Sequence, residues 1–293
     1  MKKTGARSHR RRCMKGDRKM DLQKNARRFT GFSALYDGVR PVLPAYALAC
    51  IRRYLGREPE QVVDLGCGTG LSTLALAAVG GQVTGVEPSG DMLRIARSKA
   101  APENVTFREG FAHDTDLPDA FADVVVCSQS FHWMEPETTL REIGRILKNA
   151  EEPEAPAGAV FAAVDCDWPP LCGWEAERAW EELSQEAKRL AGETEALREH
   201  TAHAWDKGRH LENMKGSGLF RYVREVVFAS REPGSAQRII ALAESQGTVQ
   251  DLRKYAPGRL DAAWDTFCRR VRASCDAGPF DMDFSYRMRI GVR

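Results

Sequence analysis

Two carboxylates and three glycines carry the clearest chemistry in this chain. The stretch V-V-D-L-G-C-G-T-G, Val62 to Gly70, places glycines at 66, 68 and 70 just after an acid, Asp64. Glycines so spaced let the backbone turn tightly and approach a ligand closely. A second acid, Glu87, closes V-T-G-V-E and lies 21 residues after Gly66, where a carboxylate accepts hydrogen bonds from ribose hydroxyls. The dinucleotide fingerprint is G-x-G-x-x-G; here the third glycine comes one residue early and Leu71 stands in its place. Asp64 would repel a pyrophosphate and suit a ligand bearing an amine or another positive charge. The loop fits an adenosine-containing ligand without a diphosphate, the plainer alternative being a tight turn.

A second constellation is C-S-Q-S-F-H-W-M-E-P, Cys127 to Pro136, with Phe131, His132 and Trp133 in succession. Aromatic walls give shape and dryness, which an in-line group transfer needs, and they favour a cationic donor. His132 is a candidate general base for a hydroxyl nucleophile; a histidine that orients the loop, or one that only packs, is the alternative. Trp133 reads as wall. Gln129 and Ser130 are candidate ligand contacts. Further on, D-C-D-W-P-P sets Asp165, Asp167 and Trp168 ahead of a stiff turn, where they would face a pocket mouth or serve conformation and packing. His200, His203, Trp205, Lys207, Arg209 and His210 could bind an acid or form a solvated helix end. No His, Cys, Asp or Glu spacing reads as a metal site.

These residues need elements to hold them. Short apolar runs at Gln61–Leu65, Gln82–Glu87, Asn104–Glu109, Asp123–Cys127 and Gly158–Val164 predict strands, and Leu71–Val79, Ser89–Ala100 and Pro136–Lys148 predict helices between them, with Ser89 as an N-cap. Strands alternating with helices predict a doubly wound α/β sheet, mostly parallel. Ligands bind beyond the carboxyl ends of such strands. After Trp174 the pattern turns to polar helices near 174–200, 207–216, 235–254 and 259–276, with strands at Tyr222–Ala229 and Met282–Val292. The organisation expected is a basic leader over 1–20, a helical cap over 21–60, a cofactor-binding core over 61–170, and over 171–293 a helical lid with two terminal antiparallel strands. An acidic patch, Asn149–Ala157, looks like a surface insertion.

The 293 residues suffice for one large domain or a domain with a lid. No run reaches the roughly 18 apolar residues of a membrane span, and no apolar stretch follows the first charges as in a secretory signal. Eight cysteines without a C-x-x-C pair indicate reduced thiols and a cytoplasmic setting. Residues 1–20 hold nine basic residues against Asp17, so the remainder carries a net charge of −6. The tail could touch nucleic acid, or be a disordered leader ahead of a start at Met14 or Met20. An acidic body is a poor surface for a phosphate backbone.

With these motifs in hand, the chain resembles the class I S-adenosylmethionine-dependent methyltransferases. D-L-G-C-G-T-G matches their first motif and V-T-G-V-E-P-S their second. Arg108–Val126 is similar to their adenine-edge segment running into the fourth strand, and R-E-I-G-R-I-L-K to the helix before the fifth. Phe32–Pro44, H-W-M and D-C-D-W-P-P resemble the small-molecule branch that includes ubiquinone/biotin-pathway-type and trans-aconitate-type enzymes. The resemblance implies a Rossmann-like seven-stranded sheet with a helical lid, and S-adenosyl-L-methionine as cofactor with S-adenosyl-L-homocysteine as product. It implies that Asp64, Gly66, Cys67, Gly68 and Gln129 line the methionine half and that Glu87 holds the ribose. Pro88 and Met92 would flank the adenine, with Ala112 and His113 at its edge. Tyr36 and Arg40 become lid and substrate residues with Ser130, Phe131, Trp133 and Trp168. D-W-P-P has its aromatic residue before the prolines and follows strand five, unlike the motif of enzymes that methylate base amines. The expected activity is methyl transfer to oxygen or carboxylate, then carbon, of a small molecule. An RNA- or protein-directed enzyme docking through the basic tail and a non-catalytic cofactor binder are the alternatives.

Overall fold

The runs Q-V-V-D-L, V-V-V-C-S and V-F-A-A-V-D-C are too continuously apolar for a half-exposed strand, and they sustain strands because both sheet faces are covered. The structure, a computed structural model, describes residues 25, 33–149, 158–200, 202–275, 278 and 280–293. The expected leader over 1–20 and most of the acidic patch lie outside the described residues.

Seven strands form one sheet: β1 (Gln61–Leu65), β2 (Gln82–Glu87), β3 (Val105–Glu109), β4 (Val124–Ser128), β5 (Val160–Cys166), β6 (Tyr222–Gly234) and β7 (Phe280–Val292), in the order β3-β2-β1-β4-β5-β7-β6. The first five are parallel, and β7 lies antiparallel between β5 and β6. The mixed α/β sheet is the Rossmann-like methyltransferase arrangement that the sequence predicts. The chain reverses direction across the sheet between β1 and β4, so their carboxyl ends open a crevice.

Alternate strand residues feed two cores. Val62, Val124, Val126 and Val164 pack with α2 (Ala45–Leu55) and with the helices after β5. Val63, Val125, Cys127 and Phe161 pack against α5 (Pro136–Ile146) and Met214 of α8 (His210–Gly216). Along the chain α1 (Ser33–Val39) precedes α2, and α3 (Leu71–Leu76) and α4 (Gly90–Ser98) come between α2 and α5. Ser89 caps α4 by accepting from the Met92 N–H, as its type predicts. Glu135 caps α5, with Pro136 in the first turn.

The expected helix over 174–200 divides into α6 (Trp174–Glu193) and α7 (Glu195–His200). Thr194 is extended and its hydroxyl donates back to the Leu190 carbonyl, a local bond that competes with the helix. Between β6 and β7 stand α9 (Ala236–Glu244), α10 (Gly247–Tyr255) and α11 (Asp261–Ser274). Both late strands are longer than expected, pairing from Tyr222 with Val292 to Gly234 with Phe280. Their outer stretches carry Arg231, Glu232 and Asp281, whose polarity hides the strand pattern.

Candidate functional site

The crevice above β1 and β4 is a cavity of about 1120 Å³ of empty space, its open mouth included. Its floor is the glycine loop. Gly66 and Gly68 both have positive φ, 68° and 56°. A Cβ at Gly66 would stand 2.7 Å from Ser130 Cβ and Met134 Cε, so only glycine lets this loop meet the one after β4. A Cβ at Gly68 would meet nothing within 4 Å, because that residue faces the cavity.

Glu87 ends β2 at the cavity wall. Its Oε2 accepts from the Gly68 N–H at 3.0 Å and its Oε1 from the Ser89 N–H at 2.9 Å. Burial pushes its carboxyl up to about 7, against those two hydrogen bonds. Asp64 differs from expectation. It is fully buried beneath the loop and does not line the cavity. One oxygen accepts from the Ser72 and Thr73 hydroxyls, both at 2.7 Å, and so holds the start of α3 to β1. Burial pushes Asp64 up to about 6. Cys67, Pro88, Met92, Ala112 and His113 also line the cavity. The 112–113 segment is held by Glu142 of α5, which accepts from the N–H and hydroxyl of Thr115 at 2.9 and 2.6 Å.

The loop after β4 supplies the facing wall. Ser130 Oγ donates to the Leu65 carbonyl at 2.7 Å, tying this loop to β1. Gln129 has φ 56°, uncommon for a residue with a side chain, and its buried Nε2 has no partner among the described residues. Both line the cavity with Trp133. Phe131 and His132 do not. Phe131–Trp133 is a 3-10 turn, and three residues per turn send successive side chains about 120° apart. Trp133 therefore enters the cavity, Phe131 packs edge-on to Phe161, and His132 turns toward Asp165 of β5, with Nδ1 3.4 Å from Oδ1. Burial holds His132 down at about 4. The expectation of His132 as a cavity-facing base, and of Phe131 as a substrate contact, is corrected on this geometry. Asp165 and Asp167 do not face the mouth either: Asp165 is buried, and Asp167 pairs with Arg287 at 3.0 Å.

The roof is α1 and the turn after it. Tyr36, Arg40 and Trp168 line the cavity. The Arg40 guanidinium lies between two rings, 4.7 Å from the Tyr36 centroid and 4.8 Å from that of Trp168. Its Nη2 donates to the Ser245 carbonyl at 2.8 Å, while its buried Nε has no partner among the described residues. Burial lowers its pKa from the ordinary arginine value. No carboxylate pairs with it among the described residues. Sequence reasoning missed Asn25, Thr69 and Phe111 as lining residues. Asn25 donates to the carbonyls of Trp133 and His203 at 2.7 and 2.9 Å, a long-range clamp without a local sequence signal.

The residues fit S-adenosylmethionine. A partly satisfied acid, Glu87, stands at the cavity wall, Gly68 leaves room beside it, and Gln129 Nε2 and Thr69 Oγ1 are buried without partners among the described residues. Comparison with known proteins agrees. Residues 63–150 match the family model described as a methyltransferase domain. An uncharacterised methyltransferase of Mycobacterium tuberculosis is 34% identical over 105 residues, covering 36% of this chain and 42% of that protein. A probable S-adenosylmethionine-dependent methyltransferase of Saccharomyces cerevisiae is 29% identical over 123 residues, covering 40% and 42%. The chain thus spans less than half the length of these relatives. Among solved structures, a candidate type II methyltransferase of Anaeromyxobacter dehalogenans superposes with a TM-score of 0.63 at 20% identity, over 86% of this chain and 97% of that one. The YcgJ protein of Bacillus subtilis gives 0.50 at 18% identity, over 85% and 99%. The segment 63–150 matches a methyltransferase domain, and the sheet is the fold of the methyltransferase structure that it superposes on. Among the described residues, no helix is long and apolar enough to cross a membrane.

Proposed function

We propose that this protein transfers a methyl group from S-adenosylmethionine to a small-molecule acceptor, and that the acceptor atom is a carboxylate oxygen. One observation carries the acceptor class: Arg40, a half-buried cation without a carboxylate partner among the described residues, at the roof of the cavity. A buried charge left unpaired is costly, and an anionic ligand relieves it. The planar guanidinium matches a carboxylate in two-point geometry.

Bound along Gly68 and Glu87, the cofactor supplies an electrophilic methyl on a sulfonium for in-line displacement. Glu87 accepts from the ribose hydroxyls, and Gln129 and Thr69 donate to the amino-acid end. Trp133 and Trp168 exclude water and set the acceptor's approach. A carboxylate is already ionised near neutral pH and needs no proton removed before it attacks. That suits a wall from which His132 is turned away. The reading is tested by incubating the enzyme with methyl-labelled cofactor and small-molecule acids. Labelled, base-labile methyl esters support it; label in amines, RNA or protein only contradicts it.

A further inference from the structure

Behind Trp133 the fold assembles a second polar site that sequence spacing could not reveal. His132 comes from the 3-10 turn after β4, Asp165 from β5 and His210 from the start of α8. All three are buried, and one ligand atom from each lies within 4.8 Å of the others. His132 Nδ1 is 3.4 Å from Asp165 Oδ1, and His210 Nε2 is 3.7 Å from Asp165 Oδ2. His132 Nδ1, Asp165 Oδ1 and both ring nitrogens of His210 are buried without a hydrogen-bond partner among the described residues. Three buried ring nitrogens in one place thus lack a hydrogen-bond partner among the described residues, where buried polar groups are otherwise satisfied.

Two imidazoles and one carboxylate are a donor set for zinc and its first-row neighbours. Bond lengths of about 2.0–2.2 Å place donors of a tetrahedral site roughly 3.3 Å apart, and each imidazole already stands 3.4 or 3.7 Å from one of the two Asp165 oxygens. Charge decides occupancy. Arg289 of β7 donates to Asp165 Oδ2 at 2.9 Å, and is itself countered by Glu225 of β6 at 2.8 Å. Lys207 reaches Asp165 Oδ1 at 3.3 Å, the oxygen a metal would take. Lys207 is one-third exposed and can withdraw to solvent, whereas Arg289 is buried.

We propose that His132, Asp165 and His210 bind one divalent transition-metal cation, and that the Lys207 ammonium competes with it for Asp165. A bound cation stiffens the turn that carries Trp133 into the cavity. The site does not draw on the methyltransferase reading, and its test reads no turnover. The chelator-treated full chain is titrated with Co²⁺ alone, followed by visible absorption and by metal content after gel filtration. One equivalent is expected, with d–d bands and no thiolate charge-transfer band. His210→Gln and Asp165→Asn weaken binding about tenfold or more through loss of a ligand. Lys207→Met tightens it about tenfold through loss of a nearby positive charge. Lys207→Met lies at a partly exposed position and keeps the test valid if a buried variant fails to fold. The proposal is overturned if folded Lys207→Met binds no cobalt, if its affinity equals the parent's, or if bound cobalt shows thiolate bands.

Discussion

Glu87→Gln removes the charge that the site uses to hold ribose, and its effect can be worked from two features. Glu87 keeps one oxygen on each of the Gly68 and Ser89 N–H groups, which fixes its plane and leaves its remaining lone pairs for the ligand. A hydrogen bond to a charged group contributes about 1.5–3 kcal/mol, so the variant binds S-adenosylhomocysteine about 10- to 150-fold more weakly at pH 8. The second feature is burial, which pushes the free carboxyl up to about 7. Donors on the ligand favour the ionised form. As pH falls through 7, the free site takes up a proton that binding must expel, so affinity drops. By linkage the parent binds roughly tenfold more weakly at pH 6 than at pH 8, and Glu87→Gln loses that component. Calorimetry of both proteins at pH 6, 7 and 8 reads the two effects together. Parent and variant affinities within twofold at pH 8, or identical pH profiles, would refute the reasoning.

Arg40→Met should raise the acceptor KM about tenfold or more while cofactor affinity changes little, measured by initial rates at saturating cofactor, because a charge-assisted contact to the acceptor is lost. Gly66→Ala puts a methyl 2.7 Å from Ser130 and Met134 at positive φ, and thermal unfolding should show about 1–3 kcal/mol of destabilisation with loss of cofactor binding. Phe161→Ala empties a buried ring from between β5 and the Phe131 ring, costing about 3–5 kcal/mol in denaturant unfolding. His132→Gln should leave kcat without a new limb between pH 6 and 8, since the imidazole is already neutral there; a vanished rate across that range would restore it as the base.

The strands of the core were legible because their apolar runs are short and their turns are glycine-rich, and Glu87 was legible because a strand end fixes where its carboxylate stands. Gln129, Ser130, Trp133, Trp168, Tyr36 and Arg40 all line the cavity, whereas Phe131 and His132 of the same loop after β4 do not. Local geometry decided the rest. Three aromatic residues in succession look like one surface, yet a 3-10 turn parts them. Asp64 looks like a ligand contact, yet Ser72 and Thr73 claim one of its oxygens beneath the loop. The cationic run ending in Lys207 and His210 looks like a site for a foreign acid, and two of its members meet the chain's own Asp165. Such pairings join residues far apart in sequence, and no spacing rule reaches them.

The most direct test of the central claim is mass spectrometry of small-molecule acids after incubation with methyl-labelled S-adenosylmethionine and the enzyme. The account predicts a labelled methyl ester that mild base hydrolyses, formed one for one with S-adenosylhomocysteine and suppressed in Glu87→Gln and Arg40→Met. Tight cofactor binding without any labelled ester, or label confined to RNA or protein, would contradict it.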